Sequence, residues 1–226
     1  PINVVIDGSA ELACWDGASP IALTGGWYLD YEADSEDLTW SGLTHVPSVW
    51  QDMSPELPAT GRGVYRLSLN VASPLEQLGL KLPDSNMARK VVLIDADGVE
   101  KVIYDSGNTG LADLSIAPMR MPVIAVPRIE SGSTIVVTIR NSFSAHGGIE
   151  VPIIIGPMEE LVRHEQALII FAAIITAILF VFFVVNGGLW RAGDKDSVLI
   201  ILSIVALLSS FRQAVVSGFL FDIFPN

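Results

Sequence analysis

The sequence predicts an all-β head, a β-sandwich or jelly roll, followed by two transmembrane α-helices. Three observations predict it. Between Val4 and Ile155 the chain is a series of short β-branched or aromatic runs separated by Gly, Pro, Asn and Asp. Beyond residue 166 it becomes two long apolar stretches. The charges are divided in the same way: residues 1–165 hold 10 Lys/Arg and 22 Asp/Glu, and residues 166–226 hold 3 of each. The net charge of −12 therefore belongs to the head.

The predicted strands, in order, are Trp27–Tyr31, Gly63–Val71, Gln77–Leu82, Lys90–Ile94, Val99–Tyr104, Arg120–Val126, Ser133–Arg140 and Val151–Ile155. Val64-Tyr65-Arg66-Leu67-Ser68-Leu69-Asn70-Val71 alternates apolar with polar, the pattern of a strand with one buried face. Asp95-Ala96-Asp97-Gly98 between two such runs is a hairpin signal. Nothing before residue 158 shows sustained helical periodicity, so strands must build the core. About 165 residues suffice for one domain with its own core, assigned here to residues 1–157. There is no internal repeat and no low-complexity segment.

Residues 158–166 read as a juxtamembrane linker, with Pro157 stiffening its start. From Ala167 to Trp190 no residue is charged, and those 24 residues reach about 36 Å as a helix against a hydrocarbon core of about 30 Å. This is the first predicted span. Residues 191–196 form a short polar loop, and residues 197–224 a second span containing Arg212 and Gln213. Arginine at mid-membrane costs about 2.5–3.5 kcal/mol, and each large apolar residue returns about 0.3–0.6, so the segment still inserts. Arg191 and Lys195 place the short loop in the cytoplasm by the positive-inside rule. The acidic head then lies outside, and Asn226 returns to that side. The chain starts at Pro1 without Met, which suggests an N-terminal export signal that has been removed or left out.

Several functions are disfavoured. An acidic head without a basic stripe repels nucleic acid. His45, His146 and His164 stand singly, and Cys14 is the sole cysteine, so neither a zinc site nor an intramolecular disulfide is expected. Leu12-Ala13-Cys14 lacks the upstream apolar run of a lipoprotein signal. No nucleophile elbow, phosphate loop or paired-acid motif is present, so no catalytic residue, metal or cofactor is assigned.

The candidate ligand-binding residues are Arg140, Asn141 and His146, at a strand-to-loop junction where a rigid sandwich commonly carries recognition, together with Trp15 and Trp40. Asn141 and Gly147-Gly148 would equally serve to build the turn. Trp27, Trp50 and Tyr65 could form a sugar platform but read better as core. The acidic run Asp30–Asp37 offers oxygen ligands for calcium, yet lacks the spacing of a dedicated loop and reads as a solvated loop. Within the spans, Arg212 and Gln213 are expected to make intramembrane polar contacts, Arg212 pairing with helices from elsewhere or reaching the headgroups. Asn186-Gly187-Gly188 would permit close helix packing or simply loosen a helix end.

Gly26-Trp27-Tyr28, Val46-Pro47-Ser48-Val49-Trp50 and Gly61-Arg62-Gly63-Val64-Tyr65-Arg66-Leu67, followed by Val91–Gly98, Asp105-Ser106-Gly107, Arg140-Asn141 and Gly147-Gly148-Ile149, resemble the jelly roll shared by family 2 glycosidases and bacterial membrane sensors. With the apolar segments following, the order resembles bacterial receptors with seven transmembrane helices and diverse intracellular signalling modules (7TMR-DISM). The resemblance covers nearly the whole chain, but only two of seven helices and no signalling module. It implies a sensor front end in the bacterial inner membrane, with a periplasmic head that binds a sugar-like ligand or a protein, and no catalysis in this chain. Its partners would be the lipid bilayer and further transmembrane helices. The alternative is a non-catalytic accessory subunit of a larger membrane complex.

Overall fold

The computed structural model describes residues 5–34, 38–54, 56–85, 87–107, 109, 121–193 and 197–216. They divide into two units, Pro1–Leu161 and Val162–Asn226.

The first unit is built of strands. β1 (Val5–Ile6) and β2 (Ser9–Glu11) form a hairpin, then β3 (Ile21–Ala22), β4 (Gly25–Ala33) and β5 (Thr39–Val46) follow. β6 (Ser48–Val49) leads into one helical turn, α1 (Trp50–Met53). After it come β7 (Gly61–Asn70), β8 (Leu78–Lys81), β9 (Ala88–Ile94), β10 (Glu100–Ser106) and β11 (Ile124–Val126). β12 (Thr134–Asn141), β13 (Gly148–Ile149) and β14 (Ile154–Pro157) complete it.

One sheet has the order β10-β9-β12-β7-β2-β1-β4-β5, with β7 also pairing directly to β4; a second has the order β11-β8-β14-β3. β6 and β13 pair separately. Alternation puts Trp27, Leu29 and Tyr31 of β4, and Tyr65, Leu67 and Leu69 of β7, in one core with Leu78 and Leu80 of β8 and Ile155 of β14. The two sheets thus close over a shared interior. Each large side chain removed from water there contributes about 1.5–3 kcal/mol.

The expected strands are present with shifted ends, and the predicted 95–98 hairpin joins β9 to β10. Its Asp95 carboxylate accepts the Asp97 and Val99 amides at 3.0 and 2.8 Å, and Gly98 adopts φ +81°. β1, β2, β3, β5, β6 and β13 were not expected. The run Asp30–Asp37 is corrected in part. Asp30–Ala33 belong to β4 rather than to a loop, Asp30 facing Arg66 and Ser41 on the outer surface. Residues 35–37 lie outside the described residues.

The juxtamembrane linker takes a definite form. Residues 158–166 are helical, part of α2 (Met158–Ala192), which starts immediately after β14 and runs unbroken for 35 residues, about 52 Å. Met-Glu-Glu-Leu-Val-Arg-His-Glu-Gln contains no glycine or proline, and Glu159 and Glu160 sit in the first turn, where the helix dipole favours acids. The predicted 191–196 loop is likewise shortened, because Arg191 and Ala192 end the helix.

In the second unit α3 (Ser197–Val216) lies antiparallel to α2: the Ser203 hydroxyl donates to the Phe183 carbonyl at 2.8 Å and the Ser210 hydroxyl to Thr176 at 3.1 Å. Gly187 lets Ser203 approach, since a Cβ there would lie 3.2 Å from its hydroxyl. Both helices are long and apolar enough to cross a membrane, and only 6% of the most apolar window of α2 is buried. Residues 217–224 of the predicted second span lie outside the described residues.

Candidate functional site

Strand register places the loops. Ala33 of β4 pairs with Gly61 of β7, Gly61 with Asn141 of β12, Arg140 with Ala88 of β9, and Arg89 with Ser106 of β10. The chain leaving β4, β10 and β12, and the chain entering β7 and β9, therefore emerge at one end of the head. At the other end Asn70 closes β7, and Leu78 pairs with Pro157, from which α2 departs.

Asn141 organises the loop that follows β12. Its amide donates to the carbonyls of Ala59, Ser144 and His146 at 2.7, 2.9 and 3.1 Å, and its oxygen accepts the amides of Phe143 and Ser144 at 3.3 and 2.8 Å. With 1% of its surface exposed, it shapes the loop and has no donor left for a ligand. The loop instead displays Phe143, 52% exposed, and His146. Gln51 of α1 braces it by donating to Ala145 O at 3.0 Å, and its own side-chain oxygen is buried without a partner.

Below the loop, Trp50 fixes the geometry. Its indole N–H donates to the Tyr65 hydroxyl at 2.8 Å, and its ring meets Tyr31 edge-on with centroids 4.7 Å apart. The Tyr31 hydroxyl donates to Thr60 O at 2.7 Å. Burial, and secondarily the charge of Asp34, pushes Tyr31 up to about 12. Burial also pushes Tyr65 well above the usual phenol range. Trp27, Trp50 and Tyr65 are core residues and do not form a platform.

Arg140, 6% exposed, donates to Asp34 at 2.7 Å on the outer face of the sheet. Arg89 is buried on the inner face, where its guanidinium donates to Pro83 O and the Ser85 hydroxyl, tying down the chain entering β9. Burial lowers its affinity for a proton to about 10.

The structure thus groups Arg140, Asn141 and His146 at one end and separates them from Trp15. Trp15 is half-buried in the segment before β3, donating to Ser19 O at 2.8 Å, where nearby Gly17 packs on Leu75 and Leu78 at the helix-bearing end. Trp40 lies on edge strand β5 one row below the loop end, its ring covering Gly42, and it packs against the core. Phe143 was missed in the sequence because a lone loop aromatic has no periodicity to report it. An open cleft of about 530 Å³ at the helix-bearing end is lined by Asp16, Glu76 and Glu159 among others. Among the described residues no group of three metal-capable side chains gathers to hold an ion.

In the helical unit, Ser203, Ala206, Ser210 and Ala214 form the buried face of α3. Arg212 is exposed on the opposite face, and Gln213 is half-buried.

No protein-family model matches the chain, and no curated protein is similar to it in sequence. Solved structures similar to it include a GH2 β-galacturonidase from Eisenbergiella tayi bound to galacturonate, at 14% identity and a TM-score of 0.41, covering 60% of this chain. A β-glucuronidase from Faecalibacterium prausnitzii is 11% identical with a TM-score of 0.40, covering 63%. The chain spans only 24% and 32% of those two proteins.

Proposed function

We propose that the chain is the front end of a membrane-anchored sensor, its jelly-roll head held outside the cytoplasm and its two helices passing the bilayer. The head binds a small hydroxylated, sugar-like ligand, or a protein, at the end bearing Phe143 and His146. The exposed ring suits stacking on a sugar face, and the imidazole suits hydrogen bonding to hydroxyls. Any catalytic output would lie outside this chain.

The observation that carries this reading is the junction at Pro157. Strand β14 becomes α2 without an intervening loop, and the Met158 amide donates to Gln77 O at 3.0 Å. Gly79 leaves room for Met158 and Leu161, whose side chains lie within 3.2 Å of where its Cβ would be. A change in the sheet therefore has a covalent and hydrogen-bonded route into the helix, provided the ligand prefers one arrangement over the other. The resemblance to 7TMR-DISM receptors supports the same reading, as do Arg191 and Lys195 for a cytoplasmic connection between the two helices.

The test is thermal unfolding of the detergent-solubilised chain against a panel of neutral sugars, uronates and peptidoglycan fragments. A ligand that raises the midpoint of the wild type, but not of a Phe143→Ala/His146→Ala variant with unchanged basal stability, supports the reading. Stabilisation that survives the double substitution places binding elsewhere.

One observation favours the accessory-subunit alternative. Tyr28 of β4 and Leu43 of the edge strand β5 are cross-strand partners on the outer face of the large sheet, 53% and 45% exposed. Co-purification of a second membrane protein, lost on Tyr28→Ser/Leu43→Ser, would support protein docking there.

A further inference from the structure

We infer that the face of α3 opposite α2 docks a further transmembrane helix, one that carries a carboxylate within the bilayer, with Arg212 as its anchor. The inference rests on the membrane-spanning reading of α2 and α3.

The packing of the pair fixes which way Arg212 faces. Ser203, Ala206, Ser210 and Ala214 turn toward α2, with two interhelical hydrogen bonds seven residues apart on both helices. Ile201, Val205 and Leu208 mark the opposite, exposed stripe, and Arg212 continues it at helical spacing. Neither α2 from Gln166 to Trp190 nor the remainder of α3 contains an acid, so the pair cannot neutralise the guanidinium internally.

Depth makes this costly. Arg212 lies fifteen residues beyond Ser197, about 22 Å along the axis, and the next charged residue in sequence, Asp222, is ten further on. Helical side chains lean toward the helix N-terminus, so the guanidinium leans back toward Ser197 and away from the membrane surface beyond Val216. Reaching the headgroups beyond Val216 would oppose that lean. An intramembrane arginine is characteristically paired inside a bundle. A second copy of these two helices does not supply the pair, since neither Gln166–Trp190 nor Ser197–Val216 holds an acid. A different helix bearing Asp or Glu does, and Gln213 beside Arg212 adds one donor and one acceptor to such a contact.

The test uses the 226-residue chain, tagged and reconstituted in phosphatidylcholine bicelles, with synthetic polyleucine spanning helices bearing a central Glu, Gln or Leu as probes. Alkaline carbonate extraction comes first: release of the chain from membranes would overturn the spanning reading together with this inference. With the chain integral, the Glu helix is expected to be captured about tenfold more than the Leu helix, the order expected for a polar contact of 1–2 kcal/mol between membrane helices. Arg212→Leu should bring capture of the Glu helix down to the Leu level, and Arg212→Lys should retain part of it. Equal capture of Glu and Leu helices, or capture indifferent to Arg212→Leu, would overturn the inference and leave the arginine solvated by lipid headgroups.

Discussion

Gly147 lies flat against Trp50. A Cβ at Gly147 would come within 2.3 Å of the indole and 2.2 Å of Ala59 O, and the Trp50 amide donates to Gly147 O at 2.8 Å. The loop that displays Phe143 and His146 is therefore seated directly on one of the two fully buried tryptophans of the core.

Gly147→Ala is expected to destabilise the head by about 3 kcal/mol, because neither backbone carbonyl nor packed indole can retreat. Gly98→Ala is the contrast: it meets no atom within 4 Å, so only the strain of φ +81° remains, about 1–2 kcal/mol. Urea midpoints of the two variants check the order.

Tyr65→Phe removes the acceptor of a fully buried indole N–H. The lost bond and the unpaired donor should cost about 1–3 kcal/mol. Thermal unfolding of the detergent-solubilised variant measures it. A neutral outcome would show that another acceptor serves Trp50.

Asn141→Asp replaces an amide donor by a carboxylate facing three carbonyls. The expected loss is about 3 kcal/mol, with the amides of Phe143 and Ser144 keeping their acceptor while the Ala59 and His146 carbonyls lose their donor. Hydrogen exchange should show the loop opening in this variant before the strands do.

Alkaline stability follows from Tyr31 and Tyr65. Both phenols hold their protons more tightly folded than unfolded, so their contribution is complete below the ordinary value of 10.0 and is lost as pH rises through about 12 for Tyr31. Urea midpoints should hold up to pH 10.0 and fall beyond it, with tyrosinate absorbance from these residues appearing together with unfolding. Their ionisation in the folded head below pH 10.0 would contradict the burial that raises them.

Much of this architecture was legible because alternation is a strong signal where one strand face is buried. β4, β7, β9 and β12 carry the core, and each was found. β5 was missed because Ser41-Gly42 interrupts its pattern, yet an edge strand tolerates a glycine that Trp40 covers with its ring. The short β1–β2 hairpin carries an Asp7-Gly8 turn with φ of 49° and 79°, a signal masked by strands too brief to show periodicity. The polar start of α2 carries charge and no long apolar run, so nothing in its pattern joins it to the span whose helix it begins. Arg140, Asn141 and His146 all lie at the loop end of the head. Which of them is spent on the loop itself depends on carbonyls of Ala59 and Ser144, and no side-chain pattern announces those.

The β1–β2 hairpin has one more consequence. β2 runs beside β7, and β1 beside β4, where those two long strands no longer pair with each other. β1 and β2 thus fill a gap whose walls are made later, the second of them more than fifty residues downstream. Such distant pairings are paid for in loop entropy before they are rewarded, which slows folding. The head cannot close piecemeal as it emerges. The free edge of β2 must wait until Asn70 has appeared, and a chain stalled before that point would offer that open strand edge to whatever binds it.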